Sequence, residues 1–272
     1  MNRRKLIPAV LLTACGMAVV PSHGGENSIT LRYRFPGGAT LRYRIERQDS
    51  LLLPGDPGGQ ASVSFFRITQ SIRPMKGKDP EGFRIALSTD SLWRGPESPH
   101  PVNQYEKMLF GSEFNDSEEQ FEIDRSGISS AKRRRFIPFL IPLPGTAVTT
   151  DESWDFRVDT PFIKPFKGHI QTAGDCQVYR FLEEGGDSLA LLAVEIEKSN
   201  SAEMSFKEPF QTLTNLYETS DSGVGALYFN ISRGCMERGV IRWSGKVHAL
   251  ESGREKVYLR KSRLTFRLLP AP

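Results

Sequence analysis

The sequence predicts an all-β protein: one large curved antiparallel sheet or open half-barrel of about eleven strands, with at most one or two short helices. Apolar and polar residues alternate with a period of two over many short stretches, which indicates strands with one buried face. Turn residues separate these stretches. Strand–helix–strand units with amphipathic crossovers, which build parallel sheets, do not occur in this sequence.

The first 22 residues have the layout of a secretory signal. The segment MNRRK is positively charged, and the apolar run from Leu6 to Val20 is too short to cross a bilayer. Residues 12–15, LTAC, resemble the bacterial lipobox, which predicts cleavage before Cys15 and lipidation of that cysteine. Cleavage near residue 22, which discards Cys15 with the signal, is the open alternative. We expect the protein to be exported, either periplasmic or anchored through a lipidated Cys15 alone.

Charge excludes one class of partner. Removing Arg3, Arg4 and Lys5 from the chain's 36 cations leaves 33 against 32 acidic residues, a net charge near +1. Nucleic-acid binding needs a real cationic surplus, so we predict no nucleic-acid partner.

After a linker at residues 23–27, we expect a single β domain over residues 28–270. The repeated LRYR at residues 31–34 and 41–44 predicts a hairpin that turns at PGG and carries four arginines on its outer face. Alternation predicts further strands, including SFFRITQSI and FRIALST, and NQYEKMLF is the candidate short helix. A Pro-rich crossing at residues 136–145 divides the chain, because prolines there forbid a continuous helix or central strand.

The second half predicts longer strands. Residues 174–198 indicate two of them around the turn EEGG, and GVIRWSGKVHAL alternates cleanly. In KVYLRKSRLTFRL the apolar phase changes between Leu259 and Leu264, which predicts a β-bulge. Residues 237–267 carry nine cations against three acids, and residues 113–124 carry six acids and no cation. The cations indicate either cross-strand charge pairs or contact with an anionic surface.

The segment KRRR next to FIPFLIPLPG is the candidate for contact with an anionic surface, through Lys132, Arg133, Arg134 and Arg135. A solvated turn leading into a buried segment is the alternative. In an oxidising compartment, Cys176 and Cys235 are either a disulfide or two buried thiols.

Catalytic signals are weak. The tetrapeptide GDSL at residues 186–189 spells the name of an esterase family, but it lies mid-chain in a hairpin and lacks that family's Asp-x-x-His. A serine needs a base to take its proton. Histidines lack metal-site spacing, so we predict no catalytic residues, no metal and no cofactor.

Several segments resemble uncharacterised exported β-proteins of bacteria: LRYRFPGGATLRYRIE, EIDRSGI, PLPGTAVTTDESWDF and GALYFNISRGCMERG. More remotely, the antiparallel layout is similar to the half-barrels of LolA-like lipoprotein carriers, which implies an apolar concave face for acyl chains. We therefore expect a non-enzymatic exported cell-envelope protein that binds a lipid-like or other envelope ligand on an apolar sheet face. The alternatives are a secreted hydrolase that combines Ser188 or an acid with His169 or His248, and a purely structural module.

Overall fold

A computed structural model describes most of the chain after residue 27. The described residues are 28–35, 38–52, 62–75, 82–95, 118–127, 136–161, 167–207, 212–251 and 253–270. Within these ranges the structure contains no α-helix, and therefore none long and apolar enough to cross a membrane.

Ten strands form one open antiparallel sheet, which confirms the predicted fold class. The strands are β1 (Leu41–Leu52), β2 (Ser62–Met75), β3 (Gly82–Arg94), β4 (Glu119–Asp124), β5 (Ser153–Pro161), β6 (Lys167–Glu184), β7 (Asp187–Lys207), β8 (Thr212–Asn230), β9 (Cys235–Glu251) and β10 (Arg254–Leu268). Their order is β4-β3-β2-β1-β10-β9-β8-β7-β6-β5. Two meanders thus meet where β1 pairs with β10.

Tight turns hold the long hairpins in register. Gly185 and Gly186, between β6 and β7, have φ of 62° and 88°. Two successive left-handed residues are the conformation of a two-residue hairpin turn, and glycine adopts it without a Cβ penalty. The predicted EEGG turn is therefore confirmed.

The predicted first hairpin is wrong. Residues 31–35 do alternate, with Leu31, Tyr33 and Phe35 buried, but this segment does not pair with β1. Both hydrogen-bonding sides of β1 are already occupied by β2 and β10. The backbone N–H of Tyr33 instead donates to the carbonyl of Arg125 just after β4, at 2.8 Å.

The connection from β4 to β5 joins the two edges of the sheet, so it has to cross the sheet. Residues 137–141 of this connection are buried against the inner face. Phe139 stacks on Tyr43 of β1 with ring centroids 4.1 Å apart. At the β5 edge, the indole N–H of Trp154 donates to the carbonyl of Pro142 at 2.9 Å. The inner face around Tyr43 and Phe266 is therefore covered by the chain's own segments, residues 28–35 and 136–150.

Candidate functional site

A groove of about 750 Å³ lies on the outer face of the sheet. Its lining comes from β1, β10, β9, β8 and β7: Gln48, Ser50, Glu195, Ile196, Glu197, Ser222, Gly223, Val224, Arg242, Trp243, Ser244, Lys261, Ser262 and Arg263. Most of these side chains point outward. The hollow forms where the short side chains of β8 lie between longer side chains on the neighbouring strands.

One row of cross-strand partners runs through the groove and across eight strands. Directly paired residues of antiparallel strands share a face. In strand order from β2 to β5 the row reads Phe65, Gln48, Arg263, Arg242, Val224, Glu195, Asp175 and Asp155. The outer face therefore changes from apolar to basic to acidic along this row.

The basic side of the groove consists of Arg242, Lys261 and Arg263. Arg242 and Arg263 are direct partners on β9 and β10, an arrangement of like charges that destabilises a sheet. No ion pair or side-chain hydrogen bond joins these three cations to another residue that the structure describes. Several other arginines of this face are paired with acids: Arg67 with Glu46 at 3.2 Å, Arg73 with Glu118 at 3.0 Å and Arg238 with Glu184 at 2.6 Å. The groove thus concentrates positive charge that the described fold does not neutralise.

The acidic side consists of Glu195 and Glu197, two residues apart on β7 and therefore on the same face. Strand β8 separates the two sides, where Ser222 and Val224 form a floor of short side chains. Arg242 and Glu195 both flank Val224, so their backbones lie two strand spacings apart, about 10 Å. A ligand in the groove meets opposite charges at its two sides.

Apolar side chains lie beyond the basic side. Val63 is 58% exposed and pairs with Ser50, while Leu259 is 40% exposed and pairs with Leu52. Leu259 stands two residues from Lys261 on the same face of β10. We call Leu52, Val63, Phe65 and Leu259 the apolar wall. Large apolar side chains exposed together are typical of binding surfaces.

A buried polar network lies on the inner face beneath the groove. The guanidinium of Arg47 donates to Asp49 at 2.7 Å, and the hydroxyl of Ser262 donates to the same carboxylate. Arg260 donates to Asp221 at 3.1 Å. All five side chains are less than 6% exposed. Buried charges are tolerated when they are paired and hydrogen-bonded, so this network fixes the strands that form the groove.

Trp243 packs within this network. The guanidinium carbon of Arg47 lies 5.5 Å from its ring centroid, and the ammonium of Lys198 lies 6.0 Å from it. Gly223 is its partner on β8, and a Cβ there would lie 2.7 Å from the Trp243 Cβ. Glycine at position 223 therefore lets the β8 backbone pass close to the Cβ of Trp243.

The structure has no bulge in β10 at the position where the sequence predicted one. The pairing of β10 with both neighbours continues without a shift through residues 259–264. The phase changes because Arg260 and Ser262 point inward while Leu259 points outward. The predicted bulge is therefore wrong, and the change of phase comes from a polar stretch on the inner face. Arg47 and Asp49 were missed from the sequence, although they occupy the inward positions of β1 that follow Tyr43 and Ile45.

The two cysteines do not form a disulfide in the structure. Cys176 on β6 and Cys235 on β9 are buried free thiols. Their strands are three strand spacings apart, about 14 Å, and Cys176 also lies six residues along β6 from Leu182, the residue in the row of Cys235. A disulfide needs Cα atoms within about 7 Å. Burial raises the pKa of the Cys235 thiol to about 11 and that of Cys176 further. Thiols with raised pKa values are poor nucleophiles at neutral pH.

The predicted hydrolase residues lie at opposite ends of the sheet. The Ser188 hydroxyl donates to Glu183 at 2.7 Å beside the β6–β7 turn. His169 lies fourteen residues before Glu183 on β6, roughly 46 Å away. His248 shares its row with His169 through Ser201 and Glu218, and so lies at the same far end. Neither histidine can accept a proton from Ser188.

The remaining predicted sites fall outside the described residues. These are Cys15, the cationic segment Lys132, Arg133, Arg134 and Arg135, and the candidate helix at residues 103–110. Within the described ranges, His, Cys, Asp and Glu form no group of three or more that could hold a metal ion.

Comparison with known proteins finds no match to the chain, either among protein-family models or among curated protein sequences. The ligand of the groove therefore has to be inferred from the residues that line it.

Proposed function

We propose that the protein is a non-enzymatic, exported protein of the bacterial cell envelope that binds an envelope component in the outer groove. The observation that carries this proposal is the basic side, Arg242, Lys261 and Arg263, which pairs with no acid among the described residues and faces Glu195 and Glu197 across a hollow of about 750 Å³. Export is supported by the basic and apolar pattern of residues 1–22.

The location of the groove changes the expected binding face. An acyl-chain carrier needs an open apolar face, but Leu31, Tyr33, Phe139 and Ile141 already pack on the inner apolar face. We therefore place the ligand on the outer face, where charge is accessible. Attachment to a membrane through a lipidated Cys15 belongs to the same proposal.

A purely structural role is the second candidate. The filled inner face favours it, because a sheet whose apolar side chains are covered by its own chain needs no ligand there. A structural role does not explain why the like charges of Arg242 and Arg263 lie opposite each other on paired strands. We therefore prefer the binding function.

Co-purification from the envelope tests the proposal. The full chain is expressed with its own leader in a bacterium, and the protein from the envelope fraction is analysed by native mass spectrometry. We expect a bound adduct in the parent protein, its loss in the double variant Arg242→Gln/Arg263→Gln, and its retention in Arg157→Gln, which removes one exposed charge on β5. A cytosolic protein without adduct would contradict the proposal.

A further inference from the structure

We propose that the groove binds the head group of a zwitterionic phospholipid. In this complex the phosphate lies over the basic side, the ammonium group lies over the acidic side, and the acyl chains begin at the apolar wall. The inference rests on the proposed envelope-binding function and adds the chemical class and the orientation of the ligand.

The order of chemistry along the groove carries the inference. From β2 to β7 the outer face presents Val63 and Phe65, then Arg263 and Arg242, then Glu195. A zwitterionic phospholipid has its groups in the same order: acyl chain, phosphate, short linker, ammonium. A purely anionic lipid would leave the two glutamates without a cation.

The basic side suits a phosphate. Two guanidinium groups from directly paired residues, Arg242 and Arg263, meet the ammonium of Lys261 on the neighbouring row. Guanidinium forks bind phosphate oxygens through paired charge-assisted hydrogen bonds. A bound phosphate also relieves the repulsion between the two arginines.

The acidic side suits a primary ammonium. The carboxylates of Glu195 and Glu197 accept hydrogen bonds from an N–H donor, whereas a trimethylammonium group has no N–H to donate. The short side chains of Ser222 and Val224 leave space between the two sides for the linker. The groove should therefore prefer phosphatidylethanolamine to phosphatidylcholine.

A second copy of the chain is the competing occupant, because rotating the charged row by 180° would set its basic side against an acidic side. The hollow shape argues against this, since two concave surfaces cannot pack against each other. A dimer remains a measurable outcome of the test.

Vesicle flotation tests the inference. The full chain carries Cys15→Ser, so that a lipid anchor does not contribute to binding. Vesicles contain phosphatidylcholine alone, or phosphatidylcholine with added phosphatidylethanolamine or phosphatidylglycerol. We expect the strongest binding with phosphatidylethanolamine.

Two charge variants separate the two sides of the groove. Arg242→Gln/Arg263→Gln should weaken binding to phosphatidylethanolamine by about tenfold or more for each guanidinium removed, because each loses a charge-assisted hydrogen bond. Glu195→Gln/Glu197→Gln should weaken that binding and strengthen binding to phosphatidylglycerol. Arg157→Gln is the control and should bind like the parent, and Arg263→Lys, which keeps the charge but loses the guanidinium fork, should bind more weakly than the parent and more strongly than Arg263→Gln. Circular dichroism checks that each variant is folded.

Three results would overturn the inference. One is phosphatidylethanolamine binding that is unchanged in the glutamate variant. Another is a preference for phosphatidylglycerol over phosphatidylethanolamine, which indicates a simple anion site and leaves the proposed function intact. The third is a dimer that Arg242→Gln/Arg263→Gln dissociates. If no vesicle binds while an adduct still co-purifies from the envelope, only the lipid assignment fails; if neither is seen, the proposed function fails too.

Discussion

The side chain of Arg260 points toward the inner face of the sheet, where it contacts Asp221 on β8. The pair is almost fully buried, with the two side chains 2% and 0% exposed. Two ions leave water only if their attraction and hydrogen bonds compensate for lost hydration. Arg260 lies on β10 and Asp221 on β8, with β9 between these two strands. The pair therefore fixes the spacing of all three strands.

Removal of one partner should show how much the buried pair contributes to the free energy of unfolding. Asp221→Ala leaves the Arg260 charge buried, and we expect unfolding free energy to fall by about 3–5 kcal/mol in urea titrations. The control is Glu46→Ala, because Glu46 and its partner Arg67 are both more than a third exposed. An exposed pair contributes about 0–1 kcal/mol. Equal losses in the two variants would contradict the role given to the buried pair.

The crossing from β4 to β5 acts as a single element that fills the inner face. Phe139 contributes most to this contact, since its side chain is 0% exposed and lies against both Tyr43 and Phe266. Pro138 and Pro142 keep the segment out of regular structure, so its apolar side chains are not constrained to strand alternation. The segment therefore covers the end of the sheet that residues 31–35 also close.

Truncation of the central ring should weaken the whole fold. Phe139→Ala removes a stacked, fully buried ring, and we expect a loss of about 3–5 kcal/mol in unfolding free energy. Leu250→Ala is the comparison, because Leu250 is 40% exposed on the outer face and surface changes usually stay within about 0.5 kcal/mol. A loss below about 1 kcal/mol for Phe139→Ala would mean that the crossing packs loosely.

The molecule as a whole is a sheet with two unlike faces. Its inner face is apolar near the β6–β7 turn and polar beneath the groove, whereas its outer face separates basic from acidic strands. The long strands β7, β8 and β9 lie between two partners over most of their length, while β4 and β5 are edges. Strand pairing, and with it local stability, should therefore be greatest in the β7–β9 region.

Hydrogen exchange should follow this arrangement. We expect the slowest amide exchange in β8, whose residues 216–230 are paired on both sides, and faster exchange in β4, which has six residues and one partner. Mass spectrometry of peptides after deuterium labelling gives the rates. Exchange in β4 as slow as in β8 would show that the edge is protected by a contact beyond the sheet.

Local signals were enough to predict the class of fold and several elements. Alternation in GVIRWSGKVHAL places Ile241 and Trp243 inside and Arg242 outside, and the two glycines after Glu184 require a hairpin turn. These features depend on side-chain period and backbone freedom, which are properties of a few neighbouring residues. The sequence also showed the surplus of cations in residues 237–267, but it did not show which surface of the protein they would form.

Only the tertiary structure decided which strands are neighbours, because register between distant strands is not a local property. Residues 31–35 alternate like a strand, but β1 already has two partners. The segment therefore packs on the inner face of the sheet instead of joining it. Arg260 breaks the apolar phase of its strand because Asp221, 39 residues away, meets it inside. Arg242, Arg263 and Glu195 come from three separate strands, and strand order alone aligns them into one polarised groove.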